Sequence, residues 1–327
     1  MGPRLWYMNA DFEAELAHRA ARASVTYRPT GFLVALNRRL APRLLWLARE
    51  GDALLLDEPH APELRAEARR RGVSLLTAKE TAKEAGAVNM IFEPWGWTRG
   101  AVEAAERAGA EVVAPPLGVV ARVNSKLWSH ALEVELGVAL PGAAVAQTFE
   151  ELGQAVARGC PRPGDKWVVK SPYGFAARER VLGRGPRLDE PSAKWSRRRF
   201  ERGEPLVFQP WLEVVREYGV VMEVSRAGAV NVLGFSDVRA NGAGTATGYL
   251  LGRPPAPHRA RALERIAAEV GERLSREGYF GPAGVDALEH AGGLHPLLEV
   301  NARRTMGFVA LAVERETGPT SPTFWEG

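Results

Sequence analysis

The first 115 residues predict a small α/β unit on a parallel sheet, and the rest of the chain predicts helices mixed with antiparallel hairpins. Two observations carry that reading. Short apolar runs alternate with helical stretches up to a proline-rich connector, the pattern of a sheet with flanking helices. Beyond the connector, apolar segments are joined by glycine-bearing turns, Ala227-Gly228 and His290-Ala291-Gly292-Gly293, which mark hairpins.

In chain order, a helix over 12–22 follows Asp11, a residue suited to its N-cap. The apolar runs 32–36, 53–56 and 73–76 read as short buried strands, with a further strand over 87–92. A helix at 101–108 stops at Gly109. This unit holds no GxGxxG fingerprint, so no dinucleotide site is expected in it. The stiff segment 113–118 marks the first boundary. Asn124 or Ser125 caps a helix through Leu136, with Gly137 as its stop. A turn at 161–165 leads into a strand at 166–170. The basic segment 184–204 reads as exposed, and a strand at 206–209 follows it. Strands at 217–224 and 230–235 form a hairpin. A helix over 258–277 places Leu263, Ile266, Ala267, Val270 and Leu274 on one face.

With 327 residues and 46% hydrophobic composition, the chain can bury two or three cores. The 43 basic and 39 acidic residues leave a net charge of +4, and the arginines are scattered rather than patched, so no nucleic-acid partner is expected. A single cysteine, Cys160, excludes an internal disulfide, and the six histidines show no paired metal spacing. No apolar stretch approaches the ~20 residues of a membrane helix, and a cytoplasmic protein without a membrane partner is expected.

The most informative segment is Gly284-Val285-Asp286, followed thirteen residues later by Glu299-Val300-Asn301-Ala302-Arg303. If the turn holds four residues, Asp286 lies opposite Leu297. Glu299 then sits diagonally across the strand pair, roughly 7–8 Å away between backbones, and Asn301 shares its face. Two carboxylates and an amide suit Mg²⁺, and Mg²⁺ with so few protein ligands usually arrives carrying phosphates. A solvated acidic hairpin face is the competing reading of these three residues.

Three further features precede this hairpin in order. Lys126 opens the helix after the connector. Lys170 ends a strand and leads into the loop Ser171-Pro172-Tyr173-Gly174-Phe175-Ala176-Ala177-Arg178. Gln209-Pro210-Trp211-Leu212-Glu213 ends another strand. The series resembles the ATP-grasp superfamily from about residue 115 onward, and the Asp, thirteen-residue gap, Glu-x-Asn layout is similar to its D-alanine–D-alanine ligase branch. The resemblance implies an α/β domain at 1–115, a lid lobe at 116–207 and a C-terminal lobe at 208–327, the last two forming an α+β ATP-grasp unit that clasps ATP. It implies Lys126 and Lys170 at the α- and β-phosphates, with Ser171, Gly174 and Arg178 in a loop over them. The hinge Gln209, Trp211 and Leu212 would meet the adenine, and Glu213 the ribose. Asp286, Glu299 and Asn301 would hold one or two Mg²⁺ ions, with Mn²⁺ as a substitute. Arg303, or Arg304 if the register slips by one, would stabilise the transferring phosphoryl group. The sequence departs from the family at Gln209, where many members carry glutamate, and in a loop with only one glycine.

The activity implied is ligation of a small-molecule carboxylate to an amine, an amino acid or peptide among the candidates. The acylphosphate route needs charge neutralisation and alignment more than a side-chain base. Direct phosphorylation of a small molecule and nucleotide binding without turnover are the rivals, in that order. A homodimer is the commonest assembly for such enzymes.

Overall fold

The computed structural model describes residues 2–21, 25–57, 61–77, 87, 89–174, 179–242 and 244–326. Strand β1 (Arg4–Tyr7) is followed by helices α1 (Phe12–Ala21) and α2 (Gly31–Leu40). Strand β2 (Ala53–Leu56), helix α3 (Pro62–Arg70), strands β3 (Ser74–Thr77) and β4 (Ile91–Pro94) and helix α4 (Arg99–Ala108) complete the first unit. Its four strands pair in the order β3-β2-β1-β4, all parallel. The 32–36 run, expected as a strand, is helical in α2. The Thr30 hydroxyl accepts from the Leu33 N–H at 3.4 Å to cap the helix, and Phe32 is left 52% exposed. The strand expected at 87–92 begins instead at Ile91; Val88 lies outside the described residues. Helix α4 ends at Gly109, whose φ of 69° is the left-handed cap favourable to glycine.

Two short helices then follow, α5 (Leu117–Val123) and α6 (Lys126–Glu135). The first begins at Leu117, in the last two residues of the stiff connector expected at 113–118, whose earlier residues are irregular. Strand β5 (Ala144–Ala146), helix α7 (Phe149–Gly159), strands β6 (Lys166–Lys170) and β7 (Arg180–Arg184), helix α8 (Glu190–Phe200) and strand β8 (Leu206–Pro210) come next. Their strands form an antiparallel sheet in the order β5-β8-β6-β7, over a core of Trp167, Phe208 and Leu152. Helix α8 lies inside the basic segment read as merely exposed; Asp189 caps it by accepting from the Ser192 N–H at 2.8 Å.

The remainder is one large antiparallel sheet. It is built from β9 (Val214–Val224), β10 (Val230–Ala240) and β11 (Ala246–Leu251), then, after helix α9 (Pro257–Arg276), from β12 (Gly281–His290) and β13 (Gly293–Asn301). Helix α10 (Met306–Thr317) and strand β14 (Thr323–Trp325) close the chain. The strand order is β13-β12-β9-β10-β11-β14. The apolar face of α9 is buried as its spacing requires. One apolar cluster runs from Leu5, Phe92 and Ala101 to Val220, Val285 and Leu297. The parallel sheet and the six-stranded sheet thus share a core. No helix among the described residues is long and apolar enough to cross a membrane.

Candidate active site

The β12–β13 hairpin differs from the expected one in its turn and its register. His290 pairs with Gly293, so the turn holds two residues, not four. The ladder then shifts between Asp286 and Leu288, and Asp286 faces Glu299 directly instead of Leu297. Pro296 falls within the shifted stretch of β13. A proline cannot donate to the ladder, and it is tolerated here because β13 is an edge strand with a bulge. The shift is an even number of residues, so the expected shared face survives. The Asn301 amide donates to Asp286 at 3.0 Å.

Helix α6 is pinned to the end of β13. The Asn124 side chain accepts from the Ala302 N–H at 2.9 Å and donates to the Ala302 carbonyl at 3.3 Å, and the Ser129 hydroxyl accepts from Val300 N–H at 3.1 Å. Ser125 caps the helix, as expected. Lys126 is thereby aimed at the hairpin. Its ammonium donates to Glu299 at 2.7 Å and to the Gly174 carbonyl at 2.9 Å. Lys170, at the end of β6, donates to Gln209 at 2.8 Å. The Gln209 amide leans in turn on buried Glu133 at 3.4 Å.

Lys126, Lys170, Gly174, Gln209, Asp286, Glu299 and Asn301 line one cleft of about 480 Å³. Its electrostatics are uneven. Burial and the neighbouring Glu299 raise the Asp286 pKa to about 7. Burial also opposes ionisation of Glu299, but Lys126 and Lys170 outweigh it and hold that carboxyl below its usual range. Burial lowers Lys170, with Lys126 repelling it further, whereas Glu299 and Glu13 keep Lys126 firmly charged against its own burial. The hairpin thus carries one carboxyl whose negative charge is left without an adequate counter-charge. Among the described residues no group of three or more His, Cys, Asp or Glu is arranged to hold a metal. Two carboxylates and an amide nevertheless fit Mg²⁺, which takes one or two carboxylates and completes its shell with water and phosphate oxygens.

No protein-family model matches the sequence, and no curated protein matches it. Solved structures do. The chain is similar to biotin carboxylase from Campylobacter jejuni in its complex with β,γ-ATP, with a TM-score of 0.59 at 10% identity, over 99% of this chain and 72% of that one. It is similar to phosphoribosylamine–glycine ligase from Thermotoga maritima, with a TM-score of 0.56 at 14% identity, over 95% and 71%. N5-carboxyaminoimidazole ribonucleotide synthetase from Thermus thermophilus gives 0.52 at 19%, over 81% and 69%. The fold is ATP-grasp. At such identities the likeness carries the fold and selects no branch, so the expected kinship with D-alanine–D-alanine ligases gains nothing from it.

The cleft gathers most of the residues expected from the sequence. Lys126, Lys170, Gly174, Gln209, Trp211, Leu212, Asp286, Glu299, Asn301 and Arg303 all line it. Arg303 donates to Glu13 at 2.6 Å and to the Asn301 oxygen at 2.9 Å. Three expected residues lie elsewhere. Glu213 is exposed and pairs with Lys166. Ser171 is buried against Glu204. Arg304 pairs with Glu93 at 2.8 Å and stacks on Trp6, so the register does not slip toward it. Arg178 lies outside the described residues.

Three further cleft residues complete the lining: Arg180, which the resemblance offers as added charge at the γ-phosphate, Glu217, which it offers only as an acidic residue past the hinge, and Glu13, which sequence reasoning passes over. Glu13, on α1, reaches across from the parallel-sheet unit to Arg303, and its sequence context is that of any first-turn glutamate. Glu217, an acidic residue just past the hinge, lines the cleft, and burial raises its pKa against the pull of Arg180. Arg180 is a cleft residue over Trp211, with 5.7 Å from guanidinium to ring centre.

Proposed function

We propose that this chain is an ATP-dependent ligase joining a small-molecule carboxylate to an amine, with release of ADP and phosphate. The observation that supports it is the meeting in one cleft of Lys126, Lys170, the Asp286–Glu299–Asn301 set and Arg303, which come from elements far apart in the chain. In this reading residues 1–115, 116–207 and 208–327 act as a substrate-side domain, a lid lobe and a metal-bearing lobe. ATP lies with its base against the Pro210–Leu212 hinge and its ribose near Glu217, which replaces Glu213 in that role. Lys126 and Lys170 carry the phosphate charge as compact donors. Asp286, Glu299 and Asn301 would hold one or two Mg²⁺ ions, with Mn²⁺ as a substitute. The bound cation would neutralise phosphate charge and screen Asp286 from Glu299.

The substrate carboxylate attacks the γ-phosphorus, forming an acylphosphate and expelling ADP. The amine then adds to the acyl carbon, phosphate leaves, and the nitrogen loses its proton. Arg303 offers a guanidinium fork to the oxygens on which charge gathers in both steps. Its hydrogen bonds to Glu13 and Asn301 fix the fork beforehand. The test is ADP release against pools of carboxylates and amines, with products identified by mass. An amide formed with ADP, and its loss in Glu299→Ala, is expected. A phosphorylated product without an amide would make the protein a kinase, and unchanged turnover in Glu299→Ala would remove the metal assignment.

A further inference from the structure

The cleft has two unlike halves. The nucleotide half carries the charged groups described above. The other half is built by α1, α2, the segment after β4, strands β10 and β11, and the start of α10. Its wall consists of Leu36, Leu40, Trp95, Val238, Tyr249 and Met306. All of these but Leu36 also belong to one packed apolar cluster, in which Trp95 and Tyr249 are almost wholly buried and Leu40, Val238 and Met306 are half-buried, so the wall is backed by core and not built from isolated side chains. The Trp95 carbonyl accepts from the Arg304 N–H at 2.9 Å, which ties the segment after β4 to the entrance of α10. Among the described residues from these elements that line the cleft, the charged ones are Glu13 and Arg39. Glu13 is already engaged by Arg303, and Arg39 lies toward solvent at the rim.

We infer that the molecule joined at this site carries an apolar side chain, aliphatic or aromatic and of amino-acid size, which seats against Trp95, Tyr249, Leu40 and Met306 while its reacting end lies at Arg303. This rests on the ligase reading for the position of the reacting end. The physical grounds are direct. A wall of this kind rewards buried apolar area at roughly 25 cal/mol per Å², and a charged or strongly hydrated side chain laid on it loses water without gaining a partner. A cleft of about 480 Å³ that also takes a nucleotide leaves room for a small body only.

The experiment has two arms on the intact protein. In the first, saturation-transfer NMR compares leucine, phenylalanine, glycine, serine and aspartate as probes, with and without a non-hydrolysable ATP analogue and Mg²⁺. In the second, ADP release is measured with the same compounds as carboxylate or amine. Stronger transfer to leucine and phenylalanine is expected, together with a kcat/KM at least about tenfold above glycine, the scale on which apolar pockets discriminate. Met306→Lys and Leu40→Ser should each lower the leucine-to-glycine ratio about tenfold and leave affinity for the ATP analogue within about twofold. Equal or stronger transfer to the polar probes in either nucleotide condition, or unchanged selectivity in both variants, overturns the inference. Failure of the analogue to bind overturns the ligase reading instead, and the nucleotide-free comparison of probes still decides the apolar preference.

Discussion

Asp286 and Glu299 face each other across one strand pair and titrate in opposite directions, which makes the hairpin testable side chain by side chain. A carboxyl raised to about 7 by burial and by Glu299 favours the protein while it is neutral. Its contribution is therefore complete below the unfolded pKa near 4 and is lost as pH rises through 7. Asp286→Asn, neutral at every pH, escapes that loss. The full shift corresponds to ~4 kcal/mol at 1.36 per unit, and Asp286 keeps some contact with cleft water, so about half is expected. Urea denaturation should show the variant gaining about 1 kcal/mol on wild type between pH 5 and pH 8. A constant difference would contradict the shift. Lys170→Met removes one of the two ammonium groups proposed to meet the phosphates while leaving a side chain of similar length. Affinity for ATP should fall about 10–100-fold, the ~1.5–3 kcal/mol of a charged hydrogen bond, with circular dichroism unchanged.

Helix α6 lies against β13 because two side chains hold it there. Asn124→Ala would leave the buried Ala302 amide and carbonyl short of partners, a cost of about 1–3 kcal/mol. It should also weaken nucleotide binding by letting Lys126 drift from Glu299; calorimetry on the folded variant checks both. The docking of α1 has a similar weak point. A Cβ at Gly96 would stand 2.3 Å from the Phe12 ring, and that ring lies 5.8 Å beneath the Arg303 guanidinium. Gly96→Ala should therefore destabilise by about 1–3 kcal/mol and lower kcat more than ATP affinity. At this scale the sequence was legible wherever a cap or a turn residue marked the boundary. Ser125 before α6, Gly109 after α4 and the apolar stripe of α9 all fell where expected. It misled where an apolar run was too short to separate strand from helix, as at 32–36, and in α8, where arginines masked a helix whose cap is Asp189. The hairpin register was not readable because the ladder shift around Pro296 depends on pairing partners. The Asp, Glu and Asn set survived that error because strand faces repeat every second residue.

The parallel-sheet unit is joined to the rest by the shared apolar cluster and by ion pairs from Glu13 to Arg303 and from Glu93 to Arg304. Unfolding should follow one transition, coincident by tryptophan fluorescence and far-ultraviolet circular dichroism; two separated transitions would show that the first unit stands alone. The same junction explains why part of the cleft was hard to read in the sequence. Glu13, Leu36 and Leu40 reach the site only through the packing of one sheet on another, and no local spacing announces that; the Trp95-Gly96-Trp97 pair fits a cleft lining and a buried core equally well by sequence. The half proposed to meet the phosphates was legible because its residues sit at strand ends and a helix start, in an order that resembles ATP-grasp. The most direct measurement is a crystal structure of the protein with a non-hydrolysable ATP analogue and Mg²⁺. The triphosphate is expected between Lys126 and Lys170 on one side and Asp286 and Glu299 on the other, with the base at Pro210–Leu212. A nucleotide bound elsewhere, or none at saturating concentration, would contradict the assignment of this cleft.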